Sequence, residues 1–152
     1  MLYDMLSGEC GFIDHASGYL SIKHQVVINS NETFKEKLTF DREDQSQGVV
    51  INRYHTDSGI SNDLEFIDDM LKNKKKIMFS GAGASHQNGA AECNIKTVVT
   101  MAITLLVQAA LRYPEDTFFT DICPMAMDYA LWVNNWIPDM QSRLSNIEIW
   151  SR

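Results

Sequence analysis

Three carboxylates, Asp14, Asp57 and Glu92, stand in the short stretches "FIDHASG", "YHTDSG" and "HQNGAAECNIKTV". The first two follow apolar runs and read as strand ends, while Glu92 falls on the opening turn of a helix. Three hard oxygen donors at one point can hold two divalent cations about 3.5–4 Å apart, one beside the attacking and one beside the leaving oxygen of a phosphodiester. Taken singly, an acid at a strand end is more often a turn or cap residue than a ligand. Acid–base hydrolysis of a sugar needs only two carboxylates and leaves the third unexplained.

The loop ahead of Glu92, "FSGAGASHQNG", looks at first like a phosphate cradle, because glycines lead from a strand into a helix start. It lacks the required partners. Gly81 and Gly83 have no third glycine until Gly89, and no lysine precedes Lys96, so neither a dinucleotide fingerprint nor a P-loop is present. The glycines instead suit a flap that orders when substrate binds.

The elements that must position these acids follow from the pattern along the chain. "CGFID" and "YLSIKHQVVI", joined by a turn with Gly18 at a left-handed position, form a hairpin or meander. A polar helix built around Phe34, Leu38 and Phe40 takes Ser30 or Asn31 as its N-cap and stops at Gly48. "VVINRY" and "KIMF" are strands flanking a helix that carries Leu64, Ile67, Met70 and Leu71. A long helix over about 88–113 ends before Pro114, and a last one over about 121–137 accepts Pro124 in its first turn. Strands that meander and then alternate with helices predict a mixed sheet covered on both faces, with functional groups at the strands' carboxyl ends.

Size and composition fit that architecture. With 152 residues and 45% apolar side chains, the chain is long enough for one domain with a proper core. Cys10, Cys93 and Cys123 make neither a disulfide framework nor a zinc ribbon, and a reducing intracellular compartment is the simpler expectation. The opening "MLYDMLSGECGF" does not read as a secretory signal. The uncharged run over 97–111 is shorter than the roughly 20 residues of a bilayer span, so no membrane is expected. A net charge of −7 argues against a broad basic nucleic-acid surface, except where carboxylate-held cations meet the phosphate instead of lysines.

The three stretches resemble, in order, the blocks around the acids of the D,D-35-E catalytic core of the retroviral-integrase superfamily. They are closer still to copia-type LTR retrotransposons, where D-H-A-S-G, H-x-D-N-G and H-x-N-G-x-A-E-R-N-I-K-T-like blocks occur. Asp57 and Glu92 are 35 positions apart, and the resemblance covers about residues 8–138. It implies a ribonuclease-H-like α/β fold: a five-stranded mixed sheet, its first three strands antiparallel, with helices on both faces. Residues 1–138 would be the catalytic core and 139–152 a C-terminal extension without assigned structure.

The resemblance further implies metal-dependent trimming of DNA 3′ ends and their transfer into target DNA, with two Mg²⁺ (or Mn²⁺) ions. Asp14 and Asp57 would hold one ion, and Asp14 and Glu92 the other. DNA would be contacted by Lys96, His86, Gln87, Asn88 and Asn94, in a homodimer or larger assembly acting in the cytoplasm and nucleus. Two positions depart from the pattern: Ser58 replaces the usual Asn, and Cys93 replaces an Arg that would offer a phosphate partner. The alternative is an inactive, element-derived module that binds nucleic acid or oligomerises. Several side chains carry two readings. Glu92 and Lys96 are spaced for a surface ion pair, against the DNA contact of Lys96; Lys72, Lys74, Lys75 and Lys76 suit a solvated helix end or contact with DNA; and Tyr129, Trp132 and Trp136 suit core packing or a dimer interface. Among the histidines, His24 reads as a strand surface residue.

Overall fold

The computed structural model describes residues 8–56, 64–79, 89–114 and 122–152. Strands β1 (Gly8–Ile13) and β2 (Leu20–Gln25) pair antiparallel, with Gly8 opposite Gln25 and Ile13 opposite Leu20. Side chains of β2 alternate between two covered faces. Leu20 and Ile22 enter the core formed with α3 (Gly89–Arg112) and α4 (Cys123–Trp136), alongside Val98, Ala102, Met127 and Ala130. On the opposite face, Lys23 pairs with Glu43, and Gln25 Nε2 donates to Thr33 Oγ1, both on α1 (Ser30–Ser46). The hairpin is therefore sandwiched between helices, as the sequence pattern predicts.

Helix α1 starts one residue earlier than expected, because the Asn29 side chain accepts the Glu32 amide at 2.8 Å. Its buried residues are Lys37, Phe40 and Asp44; hydrophobic spacing reveals Phe40 but not the two charged ones. Strand β3 (Arg53–Thr56) and β4 (Lys76–Phe79) pair in parallel, and α2 (Leu64–Lys72) lies between them in sequence. This gives a β-α-β unit. Phe66 and Met70 are the buried residues of α2, whereas Leu64 and Leu71 are exposed.

The sheet departs from expectation. Among the described residues four short strands form two separate pairs, not one five-stranded sheet with three antiparallel strands first. The third antiparallel strand has no room: β2 ends at Gln25 and α1 begins at Ser30, so residues 26–29 can form only a bend and a helix cap. Nor does backbone bonding join the pairs among the described residues. Side chains meet instead, with the rings of Phe12 on β1 and Tyr54 on β3 edge to face at 6.4 Å.

By length and composition Ala91–Arg112 would suffice to cross a bilayer. Here that helix packs against α4 and carries core residues Val98 and Ala102. Beyond α4, Pro138 bridges Ser145, and α5 (Asn146–Trp150) is fixed by a capping box between Ser145 and Glu148. This C-terminal segment packs on the hairpin turn, as described below.

Candidate active site

Asp14 follows the last residue of β1 and belongs to the turn that reverses the chain into β2. Its amide donates to the Tyr19 carbonyl and its own carbonyl accepts from Gly18, both at 2.8 Å. Gly18 has φ +73°, a conformation that a side chain would strain. The Asp14 carboxylate is half-buried and held through Oδ2, which accepts from the Ser17 amide at 2.7 Å and the Ser17 hydroxyl at 2.6 Å. The "DHASG" stretch thus builds its own support.

More distant residues brace the same turn. Asn135 of α4, buried, accepts from the Leu20 amide at 3.1 Å and donates to the Leu20 carbonyl at 2.7 Å, replacing a neighbouring strand at the start of β2. Asn146 Nδ2 donates to the Gly18 carbonyl at 3.2 Å, and Trp150 stacks on Tyr19 at 4.2 Å. Sequence reasoning missed these three. The available signal was polarity out of place, since Asn135 sits two turns beyond Met127 on an otherwise apolar helix face.

Asp57 is the residue after β3 and lies outside the described residues, as do His86, Gln87 and Asn88 and most of the glycine loop. Strand β3 itself is anchored through Tyr54, whose hydroxyl donates to Asp41 Oδ1 at 2.7 Å. Lys37, fully buried, pairs with Asp41 at 2.8 Å and also with Asp69 of α2, and Lys75 pairs with Asp41. Burial pushes the Asp41 carboxyl up, but hydrogen bonds from Lys37, Lys75 and Tyr54 outweigh it and leave it below the ordinary range. Of the lysines expected at a solvated helix end, Lys75 is therefore a structural partner.

Glu92 lies in the first turn of α3, as expected, and is exposed. Lys96 is exposed one turn later, and no ion pair joins it to Glu92; Asn94 is half-buried. Gly11 on β1 fixes how closely α3 approaches: a Cβ there would lie 3.0 Å from Ile95, three residues after Glu92. His24 is more than a surface residue, lying 2.8 Å from Asp128 and 3.4 Å from Glu9. The Tyr129, Trp132 and Trp136 side chains run along α4 as an exposed ladder, so they do not pack in the core.

One cavity of about 600 Å³ relates the three acid-bearing elements. Its lining includes Asp14 and His15, then His55 and Thr56 immediately before Asp57, and Ala91 immediately before Glu92. Cys10 lines it too, but burial and the charge of Glu36 push its thiol up to about 11, so it stays protonated and is no nucleophile. Among the described residues no group of three His, Cys, Asp or Glu side chains is gathered closely enough to hold a metal. Near the strand ends the cavity presents one carboxylate, Asp14, with the imidazoles of His15 and His55 and the hydroxyl of Thr56 beside it; of these the carboxylate is the donor that Mg²⁺ and Mn²⁺ prefer.

No family model matches the chain, and no curated protein matches it in sequence. Solved structures do. The catalytic core domain of HTLV-2 integrase in complex with magnesium, in its trimeric form, superposes with a TM-score of 0.60 at 19% identity, over 93% of this chain and 84% of that one. Its dimeric form gives 0.58 at 19% identity over the same shares. A chain of the simian T-cell lymphotropic virus intasome in complex with the PP2A regulatory subunit B56 gamma gives 0.70 at 16% identity, over 94% of this chain and 52% of that one. The fold is accordingly the α/β, ribonuclease-H-like fold of retroviral integrase catalytic cores.

Proposed function

We propose that this chain is the catalytic core of a retrotransposon-derived, copia-type integrase that processes and transfers DNA 3′ ends by metal-dependent phosphoryl transfer. The observation that carries the reading is the shared cavity, where Asp14 and the residues preceding Asp57 and Glu92 form one lining. The integrase-core fold supports it. Asp14 and Asp57 would hold one Mg²⁺ or Mn²⁺ ion, and Asp14 and Glu92 the second. Bound there, the ions supply Lewis-acid charge to the phosphodiester and lower the pKa of an attacking water or hydroxyl.

The chain's own contribution is positioning. Ser17 orients the Asp14 carboxylate by two hydrogen bonds to one oxygen, and the Gly18 turn keeps that carboxylate at the strand end. The Lys37, Asp41 and Tyr54 cluster fixes the direction of β3 into Asp57. Lys96, with His86, Gln87, Asn88 and Asn94, would contact the DNA, whose site of action would be the nucleus after passage through the cytoplasm. The exposed Lys96, free of an ion pair with Glu92, is available to a phosphate.

The test is strand transfer and its reversal on DNA carrying the element's ends, with Mn²⁺ present. Wild-type protein should join or resolve strands, and Glu92→Gln should abolish the activity. Activity that survives Glu92→Gln would falsify the assignment. A second reading, an inactive oligomerisation module, draws on the exposed ladder of Tyr129, Trp132 and Trp136. A stable dimer by sedimentation together with no Mg²⁺ binding by calorimetry would favour it.

A further inference from the structure

The β3–β4 ribbon has one covered face and one open one. Tyr54 and Ile77, opposite each other in the parallel register, are half-buried, and Tyr54 meets the buried Phe66 of α2 edge to face. Side chains alternate along a strand, so Arg53 and Lys76, also opposite each other, share the second face with His55 and Met78. On that face Arg53, Lys76 and Met78 are exposed.

Two more cations extend the Arg53–Lys76 pair. Helix α2 ends in a Schellman motif, in which the Lys75 amide donates to the Met70 carbonyl at 2.8 Å and the Lys74 amide to the Leu71 carbonyl at 3.1 Å. Its left-handed position, ordinarily a glycine, is Lys74 at φ +54°. Lys72 and Lys74 are exposed on this turn, and the Lys76 amide ties it to β3 through the Asn52 carbonyl at 2.8 Å. Lys75, by contrast, turns inward to Asp41. Among the described residues Arg53, Lys72, Lys74 and Lys76 make no ion pair, even with Asp68 one turn before Lys72.

The dipole of α2 accounts for cations at its C-terminus, Lys72 and Lys74, but not for the two on the strands. Unpaired cations gathered at one pole of a chain with net charge −7 suit a polyanion. Their position says which one. Arg53 also lines the cavity that holds Asp14 and His55, and it stands three residues, about 10 Å, from Thr56 at the strand end leading into Asp57. Duplex DNA advances about 3.4 Å per base pair, so phosphates about three base pairs from the reacting bond would lie level with Arg53 and Lys76.

We propose that the open face of the β3–β4 ribbon, with the turn after α2, binds phosphates of the duplex flanking the reacting bond through Arg53, Lys76, Lys74 and Lys72. The inference rests on the DNA-integrase reading above and adds a surface separate from Lys96 on α3. The test is fluorescence anisotropy of the full chain with a duplex of about 20 base pairs, with Ca²⁺ in place of Mg²⁺, over a range of salt. Arg53→Gln and Lys76→Gln should each lower the slope of log affinity against log salt by about one and weaken binding several-fold at low salt. Arg53→Lys should keep the slope. Arg112→Gln removes the same charge at the far end of α3, about 30 Å from Glu92, and should change neither quantity. Thermal unfolding should be the same in all four variants, because these side chains are exposed and free of ion pairs.

Slopes unchanged in both strand variants, or lowered equally by Arg112→Gln, would overturn this inference and leave the functional reading standing, since wild-type protein would still bind DNA. No salt-dependent duplex binding by wild-type protein would overturn both. Competition by poly-glutamate as effective as that by unlabelled duplex, at equal charge, would assign the surface to an acidic protein segment and overturn DNA as its occupant.

Discussion

Around Asp14 the backbone is held by hydrogen bonds: Ser17 to the carboxylate, Asn146 to Gly18, and Asn135 to both polar groups of Leu20. Around β3 the restraint is ionic and buried: Lys37 between Asp41 and Asp69, with Tyr54 and Lys75 sharing Asp41. Both regions lead into an acid of the proposed site. The first spreads its restraint over several separate hydrogen bonds, about 1 kcal/mol for each neutral one and about 1.5–3 kcal/mol for those to the Asp14 carboxylate, so single losses are tolerable. The second concentrates it in a cluster whose charges are compensated only while all are present. The strand leading into Asp57 should therefore be the easier of the two to dislodge.

The largest expected effect breaks the ionic side of this contrast. Lys37→Met leaves Asp69 and part of Asp41 uncompensated, and should cost about 3–5 kcal/mol in denaturant unfolding. Hydrogen exchange should show β3 and β4 losing protection before β1 and β2; equal losses would dissolve the distinction between the regions. Next, Asn135→Ala strands the buried amide and carbonyl of Leu20, and should cost about 2–3 kcal/mol with the reverse exchange pattern.

The pH dependence sharpens the comparison further. Asp44 has a raised carboxyl pKa, so the folded state binds its proton more tightly than the unfolded chain does, and stability falls as pH rises from about 4 to about 7. Asp44→Asn should consequently stabilise the protein by about 1–3 kcal/mol at pH 8 and change little at pH 4, measured by thermal unfolding at both values. Asp41, whose pKa is depressed, acts in the opposite sense: its contribution is present above the unfolded carboxyl value and lost as pH falls through the folded one. The smallest effect, about 1 kcal/mol, should come from Gly18→Ala, through the left-handed backbone at that position.

Much of the framework was legible in the sequence. Gly18, Pro124 and the two-residue alternation of β2 act locally, so the turn, the start of α4 and the hairpin follow from near neighbours. Glu92 falls in the first turn of α3 for the same reason. What was not legible depends on distant partners. Lys37 reads as a surface lysine until Asp69 and the rings of Phe34, Tyr54 and Phe66 surround it. Asn135 and Trp150 serve a turn more than a hundred residues earlier in the chain. The five-stranded sheet was expected from the family resemblance, yet the short link between Gln25 and Ser30 leaves no length for another strand. Asp44 looks like one more acid on a polar helix, and only burial distinguishes it.

The claim at the centre of this account is that Asp14 anchors both cations. Mn²⁺ titration followed by electron paramagnetic resonance tests it most directly, because it reads bound metal without requiring a DNA substrate. Wild-type protein should bind Mn²⁺ saturably, Asp14→Asn should lose that binding, and Glu92→Gln should weaken it. Mn²⁺ binding that is unchanged in Asp14→Asn would contradict the account.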